Sequence, residues 1–166
     1  MKHIITIFFI FLSLPAIAEK YCVFTPIKGT EGLGGNRVRN ITQLPDGRMM
    51  IITEGLLNLY DGTDFNYLHY NHKHFCPLSA YSGFHHEYID SHGYMWIKNQ
   101  YQLMVVDIKH ECLVEQPDSL LATWGISSPI KDFFMDKTKN IWIINDKDEL
   151  ILVDKDNMKA KTFLPY

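Results

Sequence analysis

The side chains able to do chemistry fall into small clusters, and none completes a catalytic or metal-binding set. His69, His72 and His74 stand close together, at a spacing where imidazoles can share a transition metal. Lys73 between them opposes a cation, and His69-Tyr70-Asn71-His72-Lys73-His74 reads as a strand end running into a polar loop. His85-His86-Glu87 is a similar group, with no third ligand placed by sequence. No metal is expected at either. Ser79, Ser82, Ser127 and Ser128 lack the Gly-x-Ser-x-Gly frame of an activated serine. Asp146, Asp148 and Glu149 gather carboxylates in a turn, where solvation accounts for them better than acid–base work. Asn40-Ile41-Thr42 fits a glycosylation acceptor but falls inside an expected strand. Three cysteines, Cys22, Cys76 and Cys112, leave at least one thiol without an intramolecular partner, and no Cys-x-x-Cys pair exists for a zinc ribbon or a thioredoxin-like centre. The expectation is therefore no catalytic residue, no metal, no cofactor, no fold-essential disulfide, and ligand-binding residues that cannot be assigned one by one.

Aromatic side chains could instead stack on sugar rings, which singles out Tyr60, Trp96 and Trp142. Their spacing argues for packing. Met50, Trp96 and Trp142 are separated by steps of 46 residues, and Met49-Met50-Ile51 matches Met95-Trp96-Ile97 and Ile141-Trp142-Ile143. Upstream, Val38 falls on Phe84 and Ile130; downstream, Leu59 falls on Val105 and Ile151. A residue that recurs at every period of a repeat array packs one unit against the next. Ligand groups are then expected in the stretches that do not repeat, Asn71 to Tyr81 and Gln116 to Trp124.

Each period holds short apolar runs broken by glycine-containing turns, too short for helices. In the first period the expected strands are Val38 to Leu44, Arg48 to Thr53, Leu56 to Tyr60 and Phe65 to Tyr70. Pro45-Asp46-Gly47, Thr53-Glu54-Gly55 and Asp61-Gly62 make the turns. Ser91-His92-Gly93 keeps the glycine of the first turn in register. In the third period Lys139 takes the glycine's place, beside Asn140, the residue most tolerant of a left-handed backbone after glycine. About four strands in a period in the forties is the pattern of a β-propeller blade. The fold class is all-β, with about three four-stranded antiparallel blades over roughly 33–75, 79–120 and 125–166. Propellers use about four to eight blades, so the propeller is incomplete and the chain reads as the front of a longer protein. Its partners would then be the remaining blades or a homodimer partner.

Residues 1–18 stand outside the fold. Lys2 and His3, the apolar run Ile4 to Leu14 and the small residues Ala16-Ile17-Ala18 follow the grammar of a signal peptide, with Glu19 as first mature residue. Tyr21-Cys22-Val23-Phe24 is a β-prone run expected to serve as an outer strand. The formal charge of −3 gives no footprint for a phosphate backbone, so nucleic acid is excluded as a partner.

Gly32-Leu33-x-x-Asn36-x-Val38, Asp46-Gly47-Arg48-Met49-Met50-Ile51 and Gly55-Leu56-x-x-x-Tyr60-Asp61-Gly62 resemble the two-component regulator propeller repeat. Asp90-Ser91-His92-Gly93-Tyr94-Met95-Trp96-Ile97 and Gly125-Ile126-Ser127-Ser128, Asp136 and Ile141-Trp142-Ile143 supply the second and third copies. Leu44 stands where that repeat has Asp, Met50 where it has Trp, and Ile52 where it has Gly. The resemblance implies the amino-terminal periplasmic sensor region of a hybrid two-component histidine kinase, anchored in the inner membrane in full-length relatives and responding to carbohydrate fragments. It implies an oligosaccharide ligand and no catalysis by this segment. An exported propeller enzyme of lyase type, or a truncated and non-functional gene product, are the alternatives.

Overall fold

The computed structural model describes residues 25–27, 32–54, 56–70, 74–75, 86–98 and 102–164; the export segment and Tyr21 to Phe24 lie outside them. The first sheet runs in the order β1 (Val38–Gln43), β2 (Met49–Thr53), β3 (Leu56–Tyr60) and β4 (Phe65–Tyr67), all antiparallel. Two short strands follow, β5 (His69–Tyr70) and β6 (His74–Phe75). The second blade is β7 (His86–Ile89), β8 (Tyr94–Lys98), β9 (Leu103–Asp107) and β10 (Cys112–Leu113). After helix α1 (Pro117–Thr123) comes the third: β11 (Ile130–Met135), β12 (Ile141–Asn145), β13 (Leu150–Val153) and β14 (Ala160–Phe163). The fold is nearly all-β, in successive blades. Among the described residues no helix is long and apolar enough to cross a membrane.

Two features depart from the expected pattern. The fourth strand expected over Phe65 to Tyr70 divides after Tyr67. Its second part, β5, leaves blade 1 and pairs in parallel with β10, setting His69 against Cys112 and Tyr70 against Leu113. With the β5–β6 hairpin attached, the second sheet has six strands rather than four, in the order β6-β5-β10-β9-β8-β7. The other departure lies in the non-repeating stretch Gln116 to Trp124, where Pro117–Thr123 forms α1. Pro117 suits a first helical turn because its missing N–H has no partner to lose there. Gly125, at φ 89, ends the helix: its N–H donates to the Ala122 carbonyl and that of Ile126 to the Leu121 carbonyl.

The core follows from strand alternation, which sends successive side chains to opposite faces of a sheet. From β8, Met95 and Ile97 face blade 1, where they meet Met50, Ile52, Leu57 and Leu59. Trp96, between them in sequence, faces blade 3 and meets Phe133, Ile141 and Ile143. The 46-residue period thus marks positions equivalent in space. Thr42 pairs with Met50, Tyr88 with Trp96 and Phe134 with Trp142. On the third strand the match slips: Met50 faces Leu59 and Trp96 faces Val105, but Trp142 faces Leu152 rather than Ile151. One extra residue in the β12–β13 turn accounts for the slip.

The two end blades differ. On blade 1 the crossing 32–36 lies flat against the sheet. The Gly34 N–H donates to the buried Asn58 side chain at 2.8 Å, and a Cβ on Gly34 would collide with the Leu56 side chain. This cover keeps Ile51 and Asn58 buried. On blade 3 the face bearing Phe134, Trp142, Ile144 and Leu150 carries no such cover from the described residues, and Phe134 is 52% exposed.

Candidate functional site

The chemistry-bearing repeat residues serve the fold. In blade 2 the Asp90 carboxylate accepts the backbone N–H groups of His92 and Tyr94 through one oxygen and the Trp96 indole N–H, at 2.8 Å, through the other. Blade 3 repeats this: Asp136 accepts from Thr138 and Asn140 N–H, and from the Trp142 indole at 3.0 Å. One carboxylate thereby closes the turn and satisfies an indole that would be costly to bury unpaired. The Thr138 hydroxyl and the Trp142 indole hold the Asp136 carboxyl well below the usual carboxylate range. In blade 1 both partners change together. Leu44 and Met50 occupy the Asp and Trp positions and are buried in one apolar cluster.

The turn preceding each second strand needs a left-handed residue. Gly47 (φ 91), Gly93 (φ 88) and Lys139 (φ 72) fill it at 46-residue intervals. The left-handed conformation thus falls on Lys139 itself and not on Asn140, whose side chain bonds within the turn to Asp136 and Thr138.

A groove of about 620 Å³ opens between blades 2 and 3. One wall is α1, through Pro117, Asp118, Leu121 and Ala122; the crossing from Ile126 to Pro129 forms another. Lys98 at the end of β8, Leu103 at the start of β9 and Lys131 near the start of β11 complete it. The sequence folds this way locally because Gly125 turns the chain out of α1 and Ile126, next to it, inserts into the core beside Leu121. Lys98 is only 6% exposed. Burial lowers its pKa, while the charge of Asp132 acts in the opposite direction. Lys131 stands at the surface, 2.7 Å from Asp148.

Of the non-repeating stretches, Gln116 to Trp124 borders this groove. Of Asn71 to Tyr81 only the backbone of His74–Phe75 is described, as β6. The side chains of His69 and His74, all of His72 and His85, and Ser79 and Ser82 lie outside the described residues. His86 stacks on Tyr88 at 6.1 Å. Ser127 and Ser128 border the groove and, among the described residues, belong to no nucleophilic set. Glu149 accepts from the buried Asn145 amide, and Asp148 pairs with Lys131, so these turn carboxylates hold structure. The Asn40 amide and the Thr42 hydroxyl donate to Glu87, tying the first strands of blades 1 and 2. Cys112 is a free thiol whose pKa burial pushes up; Cys22 and Cys76 lie outside the described residues. Trp96 is fully buried and stacks on Phe133 at 5.1 Å, and Tyr60 stacks on Phe65 at 4.5 Å. Lys98 is the group that residue-by-residue reading missed. Its signal was present: the equivalent positions carry Ile52 and Ile144.

No known protein-family pattern matches the chain, and no curated protein matches it. Among solved structures, it is similar to the extracellular domain assigned to the hybrid two-component system BT4673 from B. thetaiotaomicron. That match has 19% identity and a TM-score of 0.46, over 80% of this chain and 19% of that one. It is also similar to the extracellular domain assigned to the hybrid two-component system BT3049 from the same organism, with 16% identity and a TM-score of 0.35, over 84% of this chain and 26% of that one. The chain therefore spans a minor part of the length of the structures it resembles.

Proposed function

We propose that this chain is a non-catalytic, ligand-sensing propeller segment of an exported two-component signalling receptor, responding to carbohydrate fragments. The observation that carries this reading is a division of labour along the repeat. Its recurring Asp, Trp and Gly positions are absorbed by turns and blade packing, while a non-repeating stretch walls the groove between blades 2 and 3. Recurring structure with a variable rim is how a repeat array presents a binding surface. The resemblance to the two-component regulator propeller repeat supports the signalling context, and the signal-like Met1 to Ala18 supports export to the periplasm. A ligand held across a blade boundary would act by favouring one arrangement of the neighbouring blades over another. Further blades or a second copy would serve as partners by covering the Phe134 face of blade 3.

The test is a thermal-shift screen of the exported chain against plant and host oligosaccharides, with its amino terminus mapped by mass spectrometry. We expect a mature chain beginning at Glu19 and a raised melting temperature with at least one saccharide. Turnover of a saccharide, or no shift with any, would overturn the sensing reading. Full-length chain recovered from the cytoplasm would overturn export.

A further inference from the structure

Among the described residues, every exposed large hydrophobic side chain belongs to blade 1, to blade 3 or to the segments flanking them, and none to blade 2. Blade 2 is the one with a blade packed on each side. The exposure is therefore a property of the two ends, and contiguous apolar surface of this kind marks a contact to be made.

One pair of neighbouring positions on the inner strands shows what contact. Thr42, Tyr88 and Phe134 share a sheet face with Met50, Trp96 and Trp142, the face turned toward the following blade. The residues just before them, Ile41, Glu87 and Phe133, lie on the opposite face with Ile51, Ile97 and Ile143. Between blades 1 and 2, the Thr42 hydroxyl donates to the Glu87 carboxylate at 3.0 Å. Between blades 2 and 3, Phe133 packs on Tyr88 at 5.9 Å and on Trp96 at 5.1 Å. Polar thus meets polar, and aromatic meets aromatic. Phe134 beside Trp142, on blade 3, and Ile41, on blade 1, are left over, and they are apolar on both halves. Ile41 is 54% exposed and Phe134 52%. With blade 2 between them they belong to opposite ends of one arc, and a second copy brings them together. The crossing over blade 1 leaves room for this. Its Gly32-Leu33 recurs as Gly125-Ile126, with φ of 99 and 89 at the two glycines, and Ile126 lies inside the boundary between blades 2 and 3.

We propose that two copies of this chain close head to tail into one ring, Ile41 of each packing on Phe134 and Trp142 of the other as Phe133 packs on Tyr88 and Trp96. Two arcs of three blades make six, inside the range of about four to eight blades that propellers use, and three arcs would exceed it. A head-to-tail contact that closes in this way leaves no end free for further growth.

The experiment is sedimentation equilibrium of the exported chain, as wild type and as the variants Ile41→Lys and Phe134→Glu. We expect the wild type to have twice the mass of one chain. Each variant spoils one half of both contacts in the ring, so its dimer dissociation constant should rise about a hundredfold or more. Mixing the two variants is the decisive arm. The mixture regains one wild-type contact and sets Lys against Glu in the other. It should therefore form dimers at concentrations where neither variant does alone, whether or not the separate variants stay folded. A wild-type monomer overturns the ring, and is the result expected if the face serves another polypeptide. A series of larger species overturns closure. A dimer broken by Phe134→Glu but not by Ile41→Lys overturns the head-to-tail arrangement in favour of two copies joined through blade 3, and failure of the mixture to regain the dimer also overturns it. The sensing reading is judged separately, by saccharide binding, and stands or falls on its own test.

Discussion

Between blades 1 and 2, Met50, Ile52, Leu57 and Leu59 meet Met95, Ile97, Met104 and Val106, an aliphatic and thioether surface with Ile52 fully buried in it. Between blades 2 and 3 the same strand positions bring Trp96 onto Phe133 and Trp124, each at 5.1 Å, and the row ends at Lys98 beside an open groove. The difference shows how a repeat tolerates substitution. The aromatic boundary needs an acceptor for its indole and has Asp90; the aliphatic boundary needs none, and Leu44 replaces the acid. Two departures that look independent in sequence are one exchange of a polar pair for an apolar pair, as packing and hydrogen-bond satisfaction demand.

The largest expected effect comes from removing the centre of the aromatic boundary. Trp96→Ala should cost about 3–5 kcal/mol, the upper range for large core truncations, and more than Met50→Ala. Urea unfolding of both variants makes the comparison; equal losses would mean that the two boundaries are energetically alike. Next comes a graft across them. Leu44→Asp alone places a carboxylate beside Met50 with no indole to receive, at a cost of about 2–4 kcal/mol. Adding Met50→Trp should recover about 1 kcal/mol or more, a coupling that a double-mutant cycle reads directly. A cycle showing simple additivity would break the paired-exchange account.

The turns sharpen the comparison at about 1 kcal/mol. Gly93→Ala forces a side chain into a left-handed position with open space around it, so its cost is conformational, about 1–2 kcal/mol. Lys139→Gly should relieve the same strain and stabilise by up to about 1 kcal/mol, less what is lost with the Lys139 bond to the Ile89 carbonyl. Thermal melts test both, and like signs would refute the equivalence of the two turns. The smallest effect belongs to Asp136, a half-buried turn carboxylate whose charge the nearby solvent partly screens. Its folded-state pKa is depressed below the unfolded value, so its contribution is complete above about pH 4 and is lost as pH falls through the folded value. The stability gap between the wild type and Asp136→Asn should therefore be widest near neutrality and close toward acid. A gap that stays constant in melts from neutral to strongly acid buffer would show that the charge is not what matters.

What could be read in the sequence is whatever repeats. Met50, Trp96 and Trp142 announced the period, and through it the pairing with Thr42, Tyr88 and Phe134, because strand register converts sequence spacing into position. Local insertions were harder. The added turn residue before Leu150 shifts the cross-strand partner of Trp142 to Leu152, a change that matching at a fixed step passes over. The division at Leu68 was hidden because Phe65 to Tyr70 has uniform strand character, and only the geometry of blade 2 decides where its second half goes. The groove was half legible. Gln116 to Trp124 stood out by failing to repeat, and Pro117 and Gly125 were the helix's end signals, but its depth depends on how two blades diverge. Lys98 was legible in principle, as a charge in an aliphatic column.

The β5–β6 hairpin carries a consequence for the order in which the chain can become itself. It is made directly after blade 1, yet the edge it pairs with, Cys112–Leu113, is the last strand of blade 2. In a chain emerging from its amino terminus, these two strands must wait until that edge exists, and the loop their docking closes contains the rest of blade 2. Once made, the parallel seam fastens the first two blades along their rim as a latch does, while the third is held by packing and by single cross-links such as the Trp124 carbonyl accepting the Ala160 N–H. Nascent chains halted before Cys112 should therefore leave the backbone amides of the hairpin open to hydrogen exchange, and chains extended past Leu113 should protect them; early protection would mean that the hairpin has a partner of its own.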